Sequence, residues 1–412
     1  MQLKENVSIA FLSLIDQKFR SFLTMLGIIF GTASVIIMVS IGEGAKKQAI
    51  AKYQDLGIRN IIIRDKALTD KELEEVRMKF SPGLTIRDAD VIMDIVPGVV
   101  EVACQAEADT EARYGDKSAK GKITGVTPSI AGILNYSVNK GIFIQDDHYD
   151  KMLKVCTLGA SMAKSLFGYE NPVGQHVKLD DQWFEVVGVM DQKALFTETV
   201  GELAARDLNN DIYIPLSTFS KRIPRENQLA SEISQFTVKL ESSERLMESA
   251  AVIRSILNRH HYNNDDFSIV VPYELLKQEE KERSRYNFLL ASIAAISLIV
   301  GGIGIMNIML ASVVERTREI GIRRALGGRK HDILNQFVTE AVMMSLAGGF
   351  IGVILGILLS LSLALSSEIS TSIKFYSLFI AFSFSIIVGI TFGYLPAKKA
   401  ANLEPIESIR HE

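Results

Sequence analysis

The stretch Phe288-Leu-Leu-Ala-Ser-Ile-Ala-Ala-Ile-Ser-Leu-Ile-Val-Gly-Gly-Ile-Gly-Ile-Met-Asn-Ile-Met-Leu-Ala-Ser-Val-Val314 contains no charged residue. About 20 consecutive apolar residues are enough for a helix to cross a bilayer. Three further stretches have the same character: Phe22 to Ile41, Ala341 to Ser367, and Phe375 to Leu395. Four such segments exclude a soluble protein and place spans at 21–41, 288–314, 336–366 and 375–395. Averaged over 412 residues, 48% apolar and 23% charged with a net charge of −3, this pattern is invisible. The near-neutral charge argues against a nucleic-acid binder, which is normally basic. Two cysteines, Cys104 and Cys156, exclude a disulfide-dense fold.

The first stretch is too long and starts too late for a signal-peptide core. No A-x-A pattern follows it in Ser40-Ile-Gly-Glu-Gly-Ala-Lys46, so it reads as a retained span. Lys and Arg in short polar segments set orientation. Lys4, Lys18 and Arg20 precede the first span. Arg316, Arg318, Arg323, Arg324, Arg329 and Lys330 lie between the second and third, and Lys398, Lys399 and Arg410 follow the fourth. Both termini and the second-to-third loop are therefore expected in the cytoplasm. Helix parity then puts residues 42–285 outside. In the segment 1–20, Leu3, Val7, Ala10, Phe11 and Leu14 recur at helical spacing. That suits an amphipathic helix on the inner surface, and equally a helical lead-in to the first span.

The outer segment is large enough for its own core. Residues 42–56 are polar and helix-friendly, 273–287 lack a helix breaker, and both abut the spans, so they read either as stalk helices or as solvated charged helices. Between them the sequence predicts strands at Ile58–Arg64, Val99–Ala108, Gly121–Val126, Phe236–Leu240 and Ser268–Val271. Helices are expected after Thr85, which opens a capping pattern with Asp88, and over Glu244–Asn258. These make two β-α-β units around a middle region, 130–230. That region is richer in short strands: Val155–Leu158, His176–Leu179, Trp183–Val189 and Ile212–Ile214. The fold class is an α-helical membrane protein with four transmembrane helices and a large extracytoplasmic α+β domain.

No catalytic constellation emerges. The histidines His148, His176, His260, His261, His331 and His411 form no H-E-x-x-H. His260-His261 precedes Asn263-Asn-Asp-Asp266, but adjacent side chains are expected to diverge, and a polar turn explains the run better than a metal site. Gly159-Ala-Ser-Met-Ala163 lacks the last glycine of a nucleophile elbow, and Ser161 is expected to open a helix holding Leu166 and Phe167. Gly115 to Lys122 approaches a P-loop, but Ile123 stands where Ser or Thr must reach magnesium. A hairpin turn fits better. Cys104 and Cys156 sit in apolar strand-like runs, which favours two buried thiols over a bridge. The spans hold almost no ionisable group, which argues against a proton-coupled pump. Gly301-Gly-Ile-Gly304 and Gly348-Gly-Phe-Ile-Gly352-Val-Ile-Leu-Gly356 supply small faces for helix packing.

The most informative segment is the loop at 315–335, which opens Glu315-Arg-Thr-Arg-Glu319-Ile-Gly-Ile-Arg323-Arg-Ala-Leu-Gly327-Gly-Arg329. It reads as a short amphipathic helix in which Ile320, Ile322 and Leu326 pack while Glu315, Arg316, Arg318, Glu319 and Arg323 offer charge. With Asn307 to Val314 before it, this run resembles the signature of MacB-type permeases, the FtsX-like or type VII ABC transporter family. Gly42-Glu-Gly-Ala-Lys46, Lys140-Gly-Ile-Phe143, Leu158 to Ala163, Leu166-Phe-Gly168, Asn171-Pro-Val-Gly174, Val187-Gly-Val189 and the tail Gly393 to Arg410 (396–412 beyond the last span) resemble other family segments, in the same order.

The resemblance implies a homodimer of four-span chains in the inner membrane, with a periplasmic domain of two parts: a porter (57–129 and 231–272) and a sabre-like insertion (130–230). It implies a coupling helix that docks on an ABC ATPase, with Glu315, Arg316, Arg318, Glu319, Ile322, Arg323, Leu326 and Gly327 as its residues. ATP and Mg would be bound by that partner and no cofactor by this chain. Because the best-known members carry a fused ATPase and this chain opens at the membrane, a separate ATPase subunit is expected. The implied function is export by mechanotransmission, with a periplasmic adaptor and an outer-membrane channel. A lipoprotein-releasing permease and an FtsX-like regulator of a cell-wall hydrolase share much of this layout.

Overall fold

The computed structural model describes residues 18–66, 68–192, 207–224, 229–366 and 371–405. The amphipathic pattern at residues 3–16 and the end of the tail lie outside them. The chain begins with α1 (Lys18–Leu56), β1 (Asn60–Asp65), α2 (Asp70–Met78), α3 (Ile86–Ile95), β2 (Val99–Tyr114) and β3 (Lys117–Val126). It continues through α4 (Ile130–Ile133), β4 (Val138–Gly141), α5 (Asp146–Asp150), β5 (Val155–Leu158), α6 (Ala160–Phe167), β6 (His176–Leu179) and β7 (Gln182–Met190). Then come β8 (Asp211–Pro215), α7 (Leu216–Arg222), β9 (Gln235–Leu240), α8 (Leu246–His260) and β10 (Phe267–Val270). The last elements are α9 (Pro272–Glu315), α10 (Thr317–Ala325), α11 (Lys330–Ser366) and α12 (Phe375–Ala401). Two compact units result: residues 50–278, and residues 1–49 with 279–412.

In the first unit the strands form one ten-stranded sheet. One end of it, ordered β10-β1-β9-β2, is antiparallel throughout. With α3 and α8 as the two crossovers, this is the split β-α-β arrangement of ferredoxin-like folds. Thr85 caps α3, its side chain accepting from the Asp88 backbone N–H at 3.2 Å, as the capping pattern predicts. One face of the sheet buries Ile61, Ile63, Cys104, Phe236 and Val238 beneath Ile92 of α3 and Ile253 and Leu257 of α8. Ala103, next to Cys104, belongs to a second core with Ile130, Phe143 and Tyr213. The strand period of two sends neighbouring residues to opposite faces, so each face has its own core.

The sheet does not stop where the middle region begins. β2 is 16 residues long. Its first half pairs with β9, from Val99 to Gln105, and its second half with β3, from Gln105 to Tyr114. From β3 the sheet passes to β8, β5, β7 and β4. The β2–β3 hairpin closes through Gly115-Asp116, because Tyr114 pairs with Lys117. Gly115 has φ +56°, as a two-residue hairpin turn demands. The P-loop-like run is this hairpin. Gly159 abuts Asn209, whose carbonyl oxygen would lie 2.3 Å from an added Cβ. Ser161 lies in α6 with buried Leu166 and Phe167. Both cysteines are buried free thiols, and burial pushes the Cys104 thiol up to about 12.

Among the described residues, four helices are long and apolar enough to span a membrane. Their interior combines large apolar side chains such as Ile28, Ile305, Met309 and Phe337 with small and polar ones: Thr32, Ser345, Gly352, Ser360 and Ser385 are buried. Large apolar side chains such as Phe30, Ile296, Phe350, Phe379 and Phe384 are exposed. A protein surrounded by lipid packs through small residues and turns its large apolar side chains outward. Gly27 of α1 and Gly301 of α9 meet so closely that an added Cβ on Gly27 would lie 2.4 Å from the Gly301 Cα. Gly348, Gly352 and Gly356 of α11 lie in a row against Ile28, Thr32 and Ile36 of α1.

Candidate functional site

The loop between α9 and α11 folds from its sequence in a simple way. α9 ends at Glu315, and Arg316 breaks the helix with φ −103° and ψ 14°. Thr317 then starts α10, its hydroxyl donating back to the Val313 carbonyl at 2.9 Å. α10 ends in a Schellman motif: Gly327 N–H donates to the Arg324 carbonyl at 3.2 Å and Gly328 N–H to that of Arg323 at 3.0 Å. The motif needs a left-handed residue, and Gly327 supplies it at φ +102°.

One face of α10 is anchored. Ile320 is buried in a cluster with Ile333, Phe337, Ala397 and Ala400. Arg316 Nη1 lies 3.5 Å from a carboxylate oxygen of Glu340, which is itself buried. Arg323 pairs with Glu319 one turn earlier and donates to Gln336 Oε1 at 2.9 Å. Arg324 donates to the Ala401 carbonyl at 2.6 Å, closing the end of α12.

The opposite face is bare. Arg318, Ile322 and Leu326 follow one another at i, i+4, i+8 and are exposed, Leu326 at 84% and Ile322 at 44%. This corrects the expectation that Ile322 and Leu326 pack with Ile320. A helix of nine residues turned so that Ile320 faces α11 and α12 must turn residues 322 and 326 away. The eight candidate coupling residues thus divide. Arg316 and Arg323 are engaged within the chain, Glu319 bridges to Arg323 at the surface, and Gly327 shapes the terminus. Glu315 closes α9. Arg318, Ile322 and Leu326 are presented outward.

A second polar cluster lies in the sheet domain. His260 and His261 end α8, yet both reach Asp88: His260 Nδ1 at 2.9 Å and His261 Nε2 at 3.6 Å. The expectation that these side chains diverge is therefore wrong. The helix unwinds at His261, freeing its ring to turn back into the core. His261 is fully buried, and its Nδ1 lies 2.8 Å from Asp266 Oδ1. Asp266 also accepts from the Ser81 hydroxyl and faces Arg77 at 3.9 Å. Burial opposes charge on His261, but the hydrogen bond to Asp266 and the field of both carboxylates overcome it and raise its pKa to about 9. Burial likewise opposes charge on Asp88, and the nearby His261 ring together with hydrogen bonds from His260 and Thr85 outweighs it and lowers its pKa to about 2.

Asp65 accepts from Ser231 at 2.8 Å, and its desolvation dominates, pushing it to about 6. The Ser81 hydroxyl bonds a carboxylate rather than an imidazole, so the order of a serine nucleophile's triad is not present. Among the described residues, no group of three or more His, Cys, Asp or Glu is placed to hold a metal. The cluster fastens α3, α8 and the start of β10 to one another.

Four apolar helices, a large extracytoplasmic domain and a structured loop with one bare face define a multi-pass membrane permease. Residues 21–256 match the MacB-like periplasmic core domain and residues 291–405 the FtsX-like permease C-terminal domain. The chain belongs to this family of MacB-type, FtsX-like ABC transporter permeases. It is 34% identical over 415 residues to the macrolide export ATP-binding/permease protein MacB of Wolinella succinogenes, covering 100% of this chain and 61% of that protein. To the pyoverdine export ATP-binding/permease protein PvdT of Pseudomonas savastanoi pv. phaseolicola it is 32% identical over 397 residues, covering 96% of this chain and 58% of that one. The chain thus spans about 60% of the length of these relatives. The solved periplasmic region of MacB from Actinobacillus actinomycetemcomitans matches with a TM-score of 0.43 at 20% identity, over 57% of this chain and 98% of that one.

Proposed function

We propose that this chain is the membrane part of an ABC exporter that turns ATP hydrolysis, carried out by a partner ATPase, into motion of its periplasmic domain. Export is supported by relatives named for exporting a macrolide and pyoverdine. The observation that carries the coupling role is the bare stripe Arg318-Ile322-Leu326 on a helix whose other face is anchored to α11 and α12. An apolar pair beside a cation is suited to a groove on another protein, and the Schellman end and the Arg324 contact keep the stripe from swinging away. In this reading both termini and α10 are cytoplasmic and residues 42–285 periplasmic, as the Lys and Arg distribution supports. Two copies act together, and an adaptor and an outer-membrane channel carry substrate onward. The long helices α1 and α9, each unbroken from the spans into the residues that flank the sheet domain, transmit the movement.

The test is Leu326→Asp with Ile322→Ser in the tagged full chain, purified from native membranes. The expected result is normal yield with loss of the co-purifying ATPase and of substrate-stimulated ATP hydrolysis. Full retention of both would remove α10 as the coupling element. Recovery of the ATPase with a cell-wall hydrolase or a lipoprotein carrier in place of an adaptor would move the function from export to regulation or lipoprotein release.

A further inference from the structure

Between α9 and α12, on the side where α10 lies, the helices part. Higher up they are in contact: an added Cβ on Gly302 would sit 2.3 Å from the Phe392 ring. One to two turns further on they enclose a groove of about 520 Å³, within the roughly 300–1,000 Å³ typical of small-molecule sites. It is lined by Met306, Leu310, Leu395, Pro396 and Leu403, together with Lys398, Lys399 and Asn402.

The cations near this end of α12 are of two kinds. Arg324 is held by the Ala401 carbonyl at 2.6 Å and Lys330 by Asn402 Oδ1 at 3.2 Å. Together they offset the negative end of the α12 dipole. Lys398 and Lys399 are exposed, and among the described residues neither forms an ion pair with a carboxylate. Two cations without a carboxylate partner thus border a groove whose walls are almost wholly apolar.

We propose that this groove binds one anionic phospholipid of the surrounding leaflet, an acyl chain lying along Met306, Leu310 and Leu395 and the phosphate held by Lys398 and Lys399. The apolar walls alone suit any lipid tail, so the lysines set the headgroup preference. Juxtamembrane lysines favour anionic lipids, and two acting together give a preference of roughly tenfold or more over a zwitterionic lipid. The proposal rests on the membrane placement of the four helices and is independent of what the protein exports.

Native mass spectrometry of the full chain in detergent, with phosphatidylglycerol and phosphatidylcholine of matched chains at equal concentration, tests it. The expected result is one phosphatidylglycerol retained per chain in clear preference. Lys398→Gln with Lys399→Gln brings the two lipids to near parity, while Leu310→Trp displaces both. Arg318→Gln with Arg329→Gln removes two exposed cations elsewhere on the same side and leaves the preference intact. Each variant is checked for an unchanged elution volume and thermal transition, and Lys398→Arg with Lys399→Arg restores the preference. Equal binding of the two lipids, binding of neither, or a preference that survives loss of both lysines would overturn the proposal. So would efficient disulfide formation between Met306→Cys chains in membranes, since that outcome puts a second copy in the groove.

Discussion

The buried cluster around His261 and the loop helix α10 are both dense in charge, yet they are built to opposite ends. In the cluster the charges face one another: Asp88 lies against two histidines, and Asp266 against His261, Ser81 and Arg77. In α10 one face is engaged in the same way, by Glu340, Gln336 and the Ala401 carbonyl. The other face is left open along Arg318, Ile322 and Leu326. Charge in a sequence therefore does not by itself mark a site. What distinguishes the two regions is whether the fold has already supplied the partners.

The comparison can be broken most forcefully at His261. His261→Ala leaves Asp88 and Asp266 buried without their shared cation, which costs about 3–5 kcal/mol. Thermal unfolding of the full chain in detergent, followed through Trp183, should show the midpoint falling by roughly 10 °C. The pH dependence has a definite sign. His261 is raised above its ordinary 6.5, so its contribution is complete below about pH 6.5 and is lost as pH rises through about 9. Asp88 is depressed below 3.8, so its contribution is complete above that value and is lost as pH falls through about 2. Wild type should lose stability between pH 7 and 10, and the His261 variant should lose much less over the same window.

A smaller effect is expected at Gly327. Any side chain there must adopt φ +102°, so Gly327→Val should cost about 1–2 kcal/mol of local stability. Faster proteolysis within residues 317–330 would register it. Asp65→Asn relieves a buried carboxylate whose charge is opposed by desolvation and keeps an acceptor for Ser231. Asp65 is raised from 3.8 to about 6, so its ionisation costs stability, which is lost as pH rises from about 3.8 through about 6, and the variant should gain roughly 1–3 kcal/mol at pH 8 and almost nothing at pH 4. Least of all, Arg318→Ala on the bare face should change stability by less than about 0.5 kcal/mol. It should still weaken ATPase recovery. If it destabilises the chain as much as the Gly327 variant, the open face is not open.

Much of this architecture is local information. A run such as Phe288 to Val314 announces its span because bilayer thickness sets a length that composition alone can meet. β5 and β6 fall on the stretches their β-branched residues and turn signals indicate. The failures are long-range. His260 and Asp88 are 172 residues apart, and no local pattern says that a helix will fray at His261 to turn both rings onto one carboxylate. Ile320, Ile322 and Leu326 are all apolar in a short helix. Only the position of α11 and α12 decides that the first is buried and the other two are not. The continuation of β2 beyond Ala108 was hidden too, since Asp109 to Arg113 lack the apolar alternation of an ordinary strand.

That strand has a consequence for anyone cutting or grafting this domain. At Gln105 the backbone is paired with Gln235 on one side and Val126 on the other. Around this residue the sheet changes from the half made with β9, β1 and β10 to the half that continues through β3 and β8. Removing one residue between Gln105 and Ala112 would invert which side chains face each core in one half while leaving the other half intact. A chimera that exchanges the middle region with a relative must therefore inherit β2 as an indivisible part, with its residue count preserved. A seam cut inside β2, between Gln105 and Ala112, would join two halves whose alternation had been set by different proteins, whereas one at residue 129 leaves β2 and β3 whole.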